Sequence, residues 1–375
     1  MQGINDILKD LKDENRLRTI PRQPAEGFID LCSNDYLGLA ERYGEFLDEF
    51  HSRFQGAPFS SSASRLLSSR QEYHFSLEDY LESLYCKPAL LFNSGYHANV
   101  GCITALARKD NLFICDKLIH ASIIDGLKMA GAEFKRFPHN DIDKLTSVLN
   151  KSANDYRNIV VVIESIYSMD GDVAPLKEII DIKKDFPNLT LYVDEAHAFG
   201  VRGARGLGLA EELGLIDNID IIIGTFGKAA ASSGAFVLCN ESLKSYFINS
   251  ARSFIFSTAL PPINVAWSQL MVEKITQMAE ERNYLGRLSQ FFNAEIEKIT
   301  GISTGSSSQI IPLITGDAAL AIKIAEILKR NNILALPIRR PTVPPGGERI
   351  RFSLNVALTK GDIESVIDVL KNTLQ

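Results

Sequence analysis

Cysteine is scarce in this sequence, and no two cysteines have the spacing of a redox or metal centre. The five thiols (Cys32, Cys86, Cys102, Cys115, Cys239) are scattered, odd in number and without C-x-x-C spacing. That argues against a thiolate metal site and a disulfide framework, and points to free thiols in a reducing, cytoplasmic setting. No metal is expected. Long apolar runs are also missing: none approaches the roughly 20 residues that span a bilayer, so no membrane partner is expected. The N-terminus, Met1-Gln2-Gly3-Ile4-Asn5-Asp6, has no basic stretch leading into an apolar one and does not read as a secretory leader. Positive charge is not in excess. The net charge of -6 gives no support for a nucleic-acid partner. Internal repeats and low-complexity tracts are absent.

What is present is an ordinary globular composition, 45% hydrophobic and 23% charged, over 375 residues. That length holds a large core and more than one domain. Its most informative stretch runs from Leu189 to Gly234. The apolar run Leu189-Thr190-Leu191-Tyr192-Val193 ends on Asp194 and continues Glu195-Ala196-His197, and Ile219 to Ile223 ends in Gly224-Thr225-Phe226-Gly227-Lys228. Short β-rich runs bounded by turn residues read as buried strands, and in open α/β sheets the site lies beyond their carboxyl ends. An acid, an imidazole and a lysine are therefore expected at one sheet edge. Lys228 sits among Gly227, Ala229, Ala230, Ala231, Ser232 and Ser233, without an acid beside it. Small neighbours leave room against the side chain, and a partly desolvated lysine loses its proton readily and condenses with carbonyls.

Other segments fall into place around this edge. Ile4, Ile7, Leu8 and Leu11 have helical spacing, predicting an amphipathic helix to Leu17, then Arg18 and a proline-containing connector to Glu26. A helix over Phe75 to Tyr85, the strand Ala89 to Phe92 and the turn Asn93-Ser94-Gly95-Tyr96-His97 lead into an apolar helix, Ala98 to Ala107. A strand, a glycine turn and a helix start make an anion site, although most such turns bind nothing. Asn111 to Asp116 reads as a strand, and His120 precedes another helix, where a capping or core histidine is the plain reading beside a functional one. Ile159 to Ile163 ends at Glu164-Ser165-Ile166-Tyr167-Ser168-Met169-Asp170-Gly171-Asp172, whose last three residues also read as a plain turn. Gly203-x-x-Gly206-x-Gly208 does not follow a strand and fails the dinucleotide spacing. Helical patterns run from Ile263 to Ile299 after Pro261-Pro262. Beyond them strands (Ile310 to Ile314, Ile333 to Leu336, Arg349 to Leu354) alternate with helices (Ala318 to Arg330, Lys360 to Leu374). Three parts follow: 1–45 as N-terminal helix and connector, 46–260 as large domain, 261–375 as small domain.

These motifs resemble the α-oxoamine synthase family of fold-type-I pyridoxal-phosphate enzymes, over nearly the whole chain. The resemblance implies a large, mostly parallel sheet domain flanked by helices, with a smaller C-terminal α/β domain. It implies pyridoxal 5'-phosphate as cofactor, decarboxylative condensation of an amino acid with an acyl-CoA or acyl-carrier protein, and a homodimer with shared active sites. Lys228, His120, Asp194 and His197 become the catalytic group: Lys228 joined to the cofactor, Asp194 at its pyridine nitrogen, His197 near the ring oxygen, His120 stacked on the ring. Ser94, Gly95 and Tyr96 match the phosphate turn, with Tyr96 for the usual phenylalanine. Glu164, Ser168 and Thr225 join the cofactor site, and Ser257 and Thr258 resemble the pair lent to the other subunit's phosphate. Arg18, Arg339, Thr342 and Arg351 match substrate contacts, Arg351 for the amino-acid carboxylate. The Phe28 to Leu39 segment resembles the family's entry motif. Ser60 to Ser64 stand where glycines are usual, which leaves the backbone less free to take positive φ. The run Ile338-Arg339-Arg340-Pro341-Thr342-Val343-Pro344 is most like the branch that joins L-alanine to a pimeloyl thioester, with Arg340 for the usual proline. Other members take other amino acids and acyl groups. A non-catalytic partner subunit would characteristically lack the lysine, which is here Lys228.

Overall fold

The computed structural model describes residues 2–20 and 27–374; the connector expected through Glu26 falls on 21–26, outside the described residues. Twelve strands form among those described. β1 (Ile29–Asp30) is followed by β2 (Ala89–Phe92), β3 (Asn111–Asp116), β4 (Phe134–Phe137), β5 (Asn158–Glu164), β6 (Leu189–Asp194), β7 (Ile221–Thr225) and β8 (Ala235–Leu238). The C-terminal part adds β9 (Ile310–Ile314), β10 (Ile333–Leu334), β11 (Leu336–Ile338) and β12 (Arg349–Ser353). The chain divides into two compact units, the larger made of Leu37–Tyr167 and Val173–Arg282. The smaller gathers the N-terminal part up to Tyr36, the five residues Ser168–Asp172 and the C-terminal part from Asn283. The chain passes between these units after residues 36, 167, 172 and 282. Pro261-Pro262 does not close a unit: Pro262 opens the helix Pro262–Gln277, whose Val265, Leu270, Met271 and Ile275 are buried. Proline's fixed φ suits the first helical position, where its missing N–H costs nothing.

The larger unit is built on a seven-stranded sheet in the order β2-β8-β7-β6-β5-β3-β4. Neighbours from β7 through β4 pair in parallel, and β8 alone runs against both β7 and β2. The central strands are apolar and buried along their length, as expected where helices cover both faces. One core cluster joins Phe113, Val160, Val162, Tyr192 and Ile223 of the sheet to Ile103, Ile123 and Leu127 of the covering helices. Sequence placed β7 at Ile219 to Ile223. It starts two residues later because Ile216–Asn218 close a 3-10 turn and the Asp220 carboxylate accepts the Leu191 N–H (2.6 Å).

In the smaller unit β11-β12-β9 form an antiparallel sheet and β1 pairs in parallel with β10. The single strand expected over Ile333 to Leu336 is thus two short strands in separate sheets. The excursion Ser168–Asp172 is fastened by Arg351 Nε donating to the Ser168 carbonyl (2.6 Å) and by the Arg349–Asp170 ion pair. Gly171 there has φ +73°, and a Cβ would run into the Ile310 carbonyl, so the turn requires glycine.

Candidate active site

The parallel strands β3, β5, β6 and β7 end on Asp116, Glu164, Asp194 and Thr225, all at one edge of the larger unit's sheet. Glu164 and Asp194 are direct register partners. At β2's end on the same edge, Ser94 caps the helix Gly95–Leu106, its Oγ accepting the His97 N–H (3.2 Å). A Cβ on Gly95 would lie 3.8 Å from Thr225 Cβ, an ordinary contact. Protein packing therefore does not demand glycine at this helix start, which is what a turn kept open for an anion presents.

Lys228 lies in the connection between β7 and β8, which is drawn tight by Phe226 N–H to Gly234 O (2.9 Å) and Ser232 N–H to Phe226 O (2.9 Å). The turn sets Ala231 at φ +44°, a region where a Cβ is strained. Lys228 Nζ is 2.8 Å from His197 Nε2. Asp194 is buried, with Oδ1 accepting the Ala196 N–H (2.9 Å) and Oδ2 accepting from Asn99 Nδ2 (2.8 Å). His120 caps the helix Ala121–Ala130 with Nδ1, 2.7 Å from Ser122 Oγ. Burial holds the His120 imidazole below its ordinary value, opposed by the Asp194 charge and aided by Lys228. Glu164 is buried, and its Oε1 has no hydrogen-bond partner among the described residues. Burial, then the Asp194 charge, pushes its carboxyl well above the usual range, while Lys228 and the His120 N–H pull it back.

The structure thus brings Lys228, His197, Asp194, His120, Glu164, Thr225, Ser94 and Gly95 to one edge. Tyr96 turns its hydroxyl to Asp125 Oδ2 (2.9 Å) on the exterior. Ser257 Oγ and the Thr258 carbonyl accept from Asn93 Nδ2 at 2.9 and 2.7 Å, beside the Ser94 turn. In the serine-rich loop Ser62 takes φ +53° despite its side chain, with its N–H held by Ser60 Oγ (3.0 Å). Ser168, Arg351, Arg18, Arg339 and Thr342 belong to the smaller unit. There Arg351 also donates to Asn34 Oδ1 (3.1 Å). Arg18 donates to Thr342 Oγ1 (2.7 Å), and Arg339 to the Asn15 carbonyl (2.7 Å). Sequence reasoning passed over Asn99, Ser122 and Glu195. Glu195 receives the Leu209 and Ala210 N–H groups at 3.0 and 2.8 Å, and a Cβ on Gly208 would run into its carboxylate. The one signal for Asn99 was an amide inside an apolar helix.

A family model described as aminotransferase class I and II matches residues 26–370. An 8-amino-7-oxononanoate synthase of Haemophilus ducreyi is 46% identical, over 98% of this chain and 96% of that protein. The chain belongs to the class I and II aminotransferases, among the α-oxoamine synthases. Two solved structures resemble this α-oxoamine synthase. A serine palmitoyltransferase from S. paucimobilis with bound PLP and myriocin has TM-score 0.88, 28% identity and coverage of 99% of this chain and 96% of that one. The 8-amino-7-oxononanoate synthase of Francisella tularensis has TM-score 0.78 and 25% identity, covering 93% and 98%. This α-oxoamine synthase is a pyridoxal-phosphate-dependent acyltransferase of fold type I. The residues at the edge fit that cofactor: an amine paired with an imidazole, a strand-end carboxylate, an open helix start, and a buried carboxyl oxygen without a hydrogen-bond partner among the described residues. Among the described residues no helix is long and apolar enough to cross a membrane, and no cluster of metal-ligating side chains is found.

Proposed function

We propose that this chain joins L-alanine to a pimeloyl thioester, of coenzyme A or a carrier protein, releasing carbon dioxide and the free thiol to give 8-amino-7-oxononanoate. The observation that carries this reading lies in the smaller unit. Arg18 and Arg339 stand close enough that burial and the Arg18 charge together hold the Arg339 guanidinium below its ordinary value. Among the described residues their hydrogen-bond partners are the Thr342 hydroxyl and the Asn15 carbonyl. Two neighbouring guanidinium groups suit the distal carboxylate of a dicarboxylic acyl chain, which a palmitoyl group lacks. The name of the 46% identical relative supports the same substrate pair.

Pyridoxal phosphate, when bound, supplies the carbonyl that takes the amino group and the ring that stores electrons released at Cα. Lys228, Asp194, His120, His197, Thr225 and the Ser94-Gly95 turn are the residues that hold it. Asp194 keeps a proton at the pyridine nitrogen. Lys228 Nζ takes the Cα proton from alanine and later returns one to the product, with His197 beside it as a relay. Proton transfer by such a group contributes about 10²–10⁴-fold. Arg351 takes the alanine carboxylate, and Ser168 can donate a hydrogen bond to bound substrate. Two such chains form the working enzyme, Ser257 and Thr258 reaching the other's phosphate.

Thiol release is the test, with alanine, glycine and serine crossed against pimeloyl-, acetyl- and palmitoyl-CoA. Alanine with pimeloyl-CoA should dominate, and Arg339→Ala should raise its apparent KM about 10- to 100-fold, the loss of one charge-assisted pair. Equal or better turnover with serine and palmitoyl-CoA would overturn the reading. Borohydride reduction of protein mixed with cofactor should leave its mass on the Lys228 peptide; an adduct on another lysine would remove Lys228 from its role.

A further inference from the structure

Asp194 and His120 are joined by a buried chain of hydrogen bonds that centres on Asn99. The Tyr192 hydroxyl donates to Asn99 Oδ1 (2.7 Å). Asn99 Nδ2 spends its two N–H groups on Asp194 Oδ2 (2.8 Å) and Ser122 Oγ (3.0 Å). Ser122 Oγ is also 2.7 Å from His120 Nδ1, and the Ser122 backbone N–H faces the same nitrogen at 3.3 Å. Asn99, Ser122 and Tyr192 are at most 2% exposed.

These contacts admit one proton arrangement. Burial pushes the Tyr192 phenol well above its ordinary value, so it donates, and the amide oxygen must face it. The amide N–H groups then face Asp194 and Ser122. Ser122 Oγ, already accepting from Asn99, gives its own proton to His120 Nδ1. With donors on Nδ1, the neutral imidazole carries its proton on Nε2. The Tyr192 hydroxyl fixes the amide, and the amide's two N–H groups lead to Asp194 directly and to His120 through Ser122. An amide inside an apolar helix disfavours folding unless all its bonds are made, and here they are.

We propose that Asn99 is a positioning residue that fixes both the Asp194 carboxylate and the proton-bearing nitrogen of His120 before the cofactor arrives. The inference rests on reading Asp194 and His120 as contacts of the cofactor ring, and it adds what holds the two in register. A group bound between an acid and a stacking ring loses least when both are set in advance.

The experiment reads the cofactor-free protein by long-range 1H–15N correlation with 15N-labelled histidine. The six histidines are assigned with a His120→Gln variant. Wild-type His120 should show an unprotonated Nδ1 and a protonated Nε2. Ser122→Ala loses the hydroxyl donor but keeps the backbone N–H on Nδ1, so it should raise the Nδ1–H fraction above that of the wild type while leaving the Asn99–Asp194 bond, weakening pyridoxal-phosphate binding only a few-fold. Asn99→Leu should raise that fraction too, and the dissociation constant about 10- to 100-fold. Should Asn99→Leu fail to fold, Asn99→Ser, too short to bridge Asp194 and Ser122, should make the same two changes, and its failure to do so would count against the proposal. An Nδ1–H fraction unchanged from the wild type in both Ser122→Ala and the Asn99 variant, or an unchanged dissociation constant in the latter, overturns it. A merely structural amide would lower the melting temperature without moving the tautomer. Unchanged cofactor binding in Asp194→Asn would instead overturn the role of Asp194 at the ring, a separate failure.

Discussion

His74 shows how one side chain can tie this fold to pH. It is 1% exposed, its Nε2 is 3.1 Å from the Leu260 carbonyl, and its Nδ1 has no hydrogen-bond partner among the described residues. Burial, then the nearby Arg65 charge, lowers the imidazole from 6.5 to about 4, against the Leu260 bond. The unfolded chain takes up this proton near pH 6.5 and the folded chain only near 4, so the unfolded state binds more protons between those values. The stability linked to His74 is complete above about pH 6.5 and is lost as pH falls toward 4, up to about 3 kcal/mol. Urea unfolding at pH 7 and 4.5 should show this loss, and His74→Gln, which keeps a donor for Leu260, should remove most of the difference. Lys228, Asp194 and His197 stood out because each follows a strand-like run. Asn99 did not, because its partners Ser122, Tyr192 and Asp194 lie 23, 93 and 95 positions away.

Elements differ in how plainly the sequence announced them. β2, β3 and β9 occupy the stretches expected of them, since each is a short apolar run between turn residues. β4, Phe-Lys-Arg-Phe, was passed over: it is an edge strand with Lys135 and Arg136 exposed, and charge at an edge guards against unwanted pairing. The helices covering the sheet were read correctly where apolar residues were dense and missed where they alternated with charge, as in Ile142–Ser152. β7 carries a constraint that no single sequence reveals. A Cβ on Gly224 would run into the Phe236 ring of the neighbouring β8. Gly224→Ala should therefore cost about 1–3 kcal/mol, the usual range for overpacking a filled core, read as a lower urea midpoint with unchanged slope. Because Gly224 and Thr225 lead into the Lys228 turn, the same variant should also weaken cofactor binding.

At the scale of the whole molecule, the larger unit leaves bulky apolar side chains in water: Phe59 is 83% exposed, Leu67 81% and Phe256 71%. Side chains of that size on a lone subunit suit burial against a second copy, and Phe256 adjoins the Ser257-Thr258 pair. Light scattering should give twice 41.5 kDa. Leu67→Glu with Phe256→Glu should shift the mass toward one chain and reduce activity together; a wild-type protein that runs as a single chain would sink the shared-site reading. The limits of the two units are not legible in the sequence, because units are defined by contacts rather than by order. The chain changes unit four times, after Tyr36, Tyr167, Asp172 and Arg282. During synthesis, then, neither unit is a finished stretch that can fold as it leaves the ribosome. Ile29 of β1 waits for Ile333 of β10, and Ser168–Asp172 emerge long before the strands that hold them. A chain ending at residue 282 would hold every residue of the larger unit but neither β10 for β1 nor Arg351 for Ser168, so such a truncation should be cleared by a cell's proteases faster than the full-length protein.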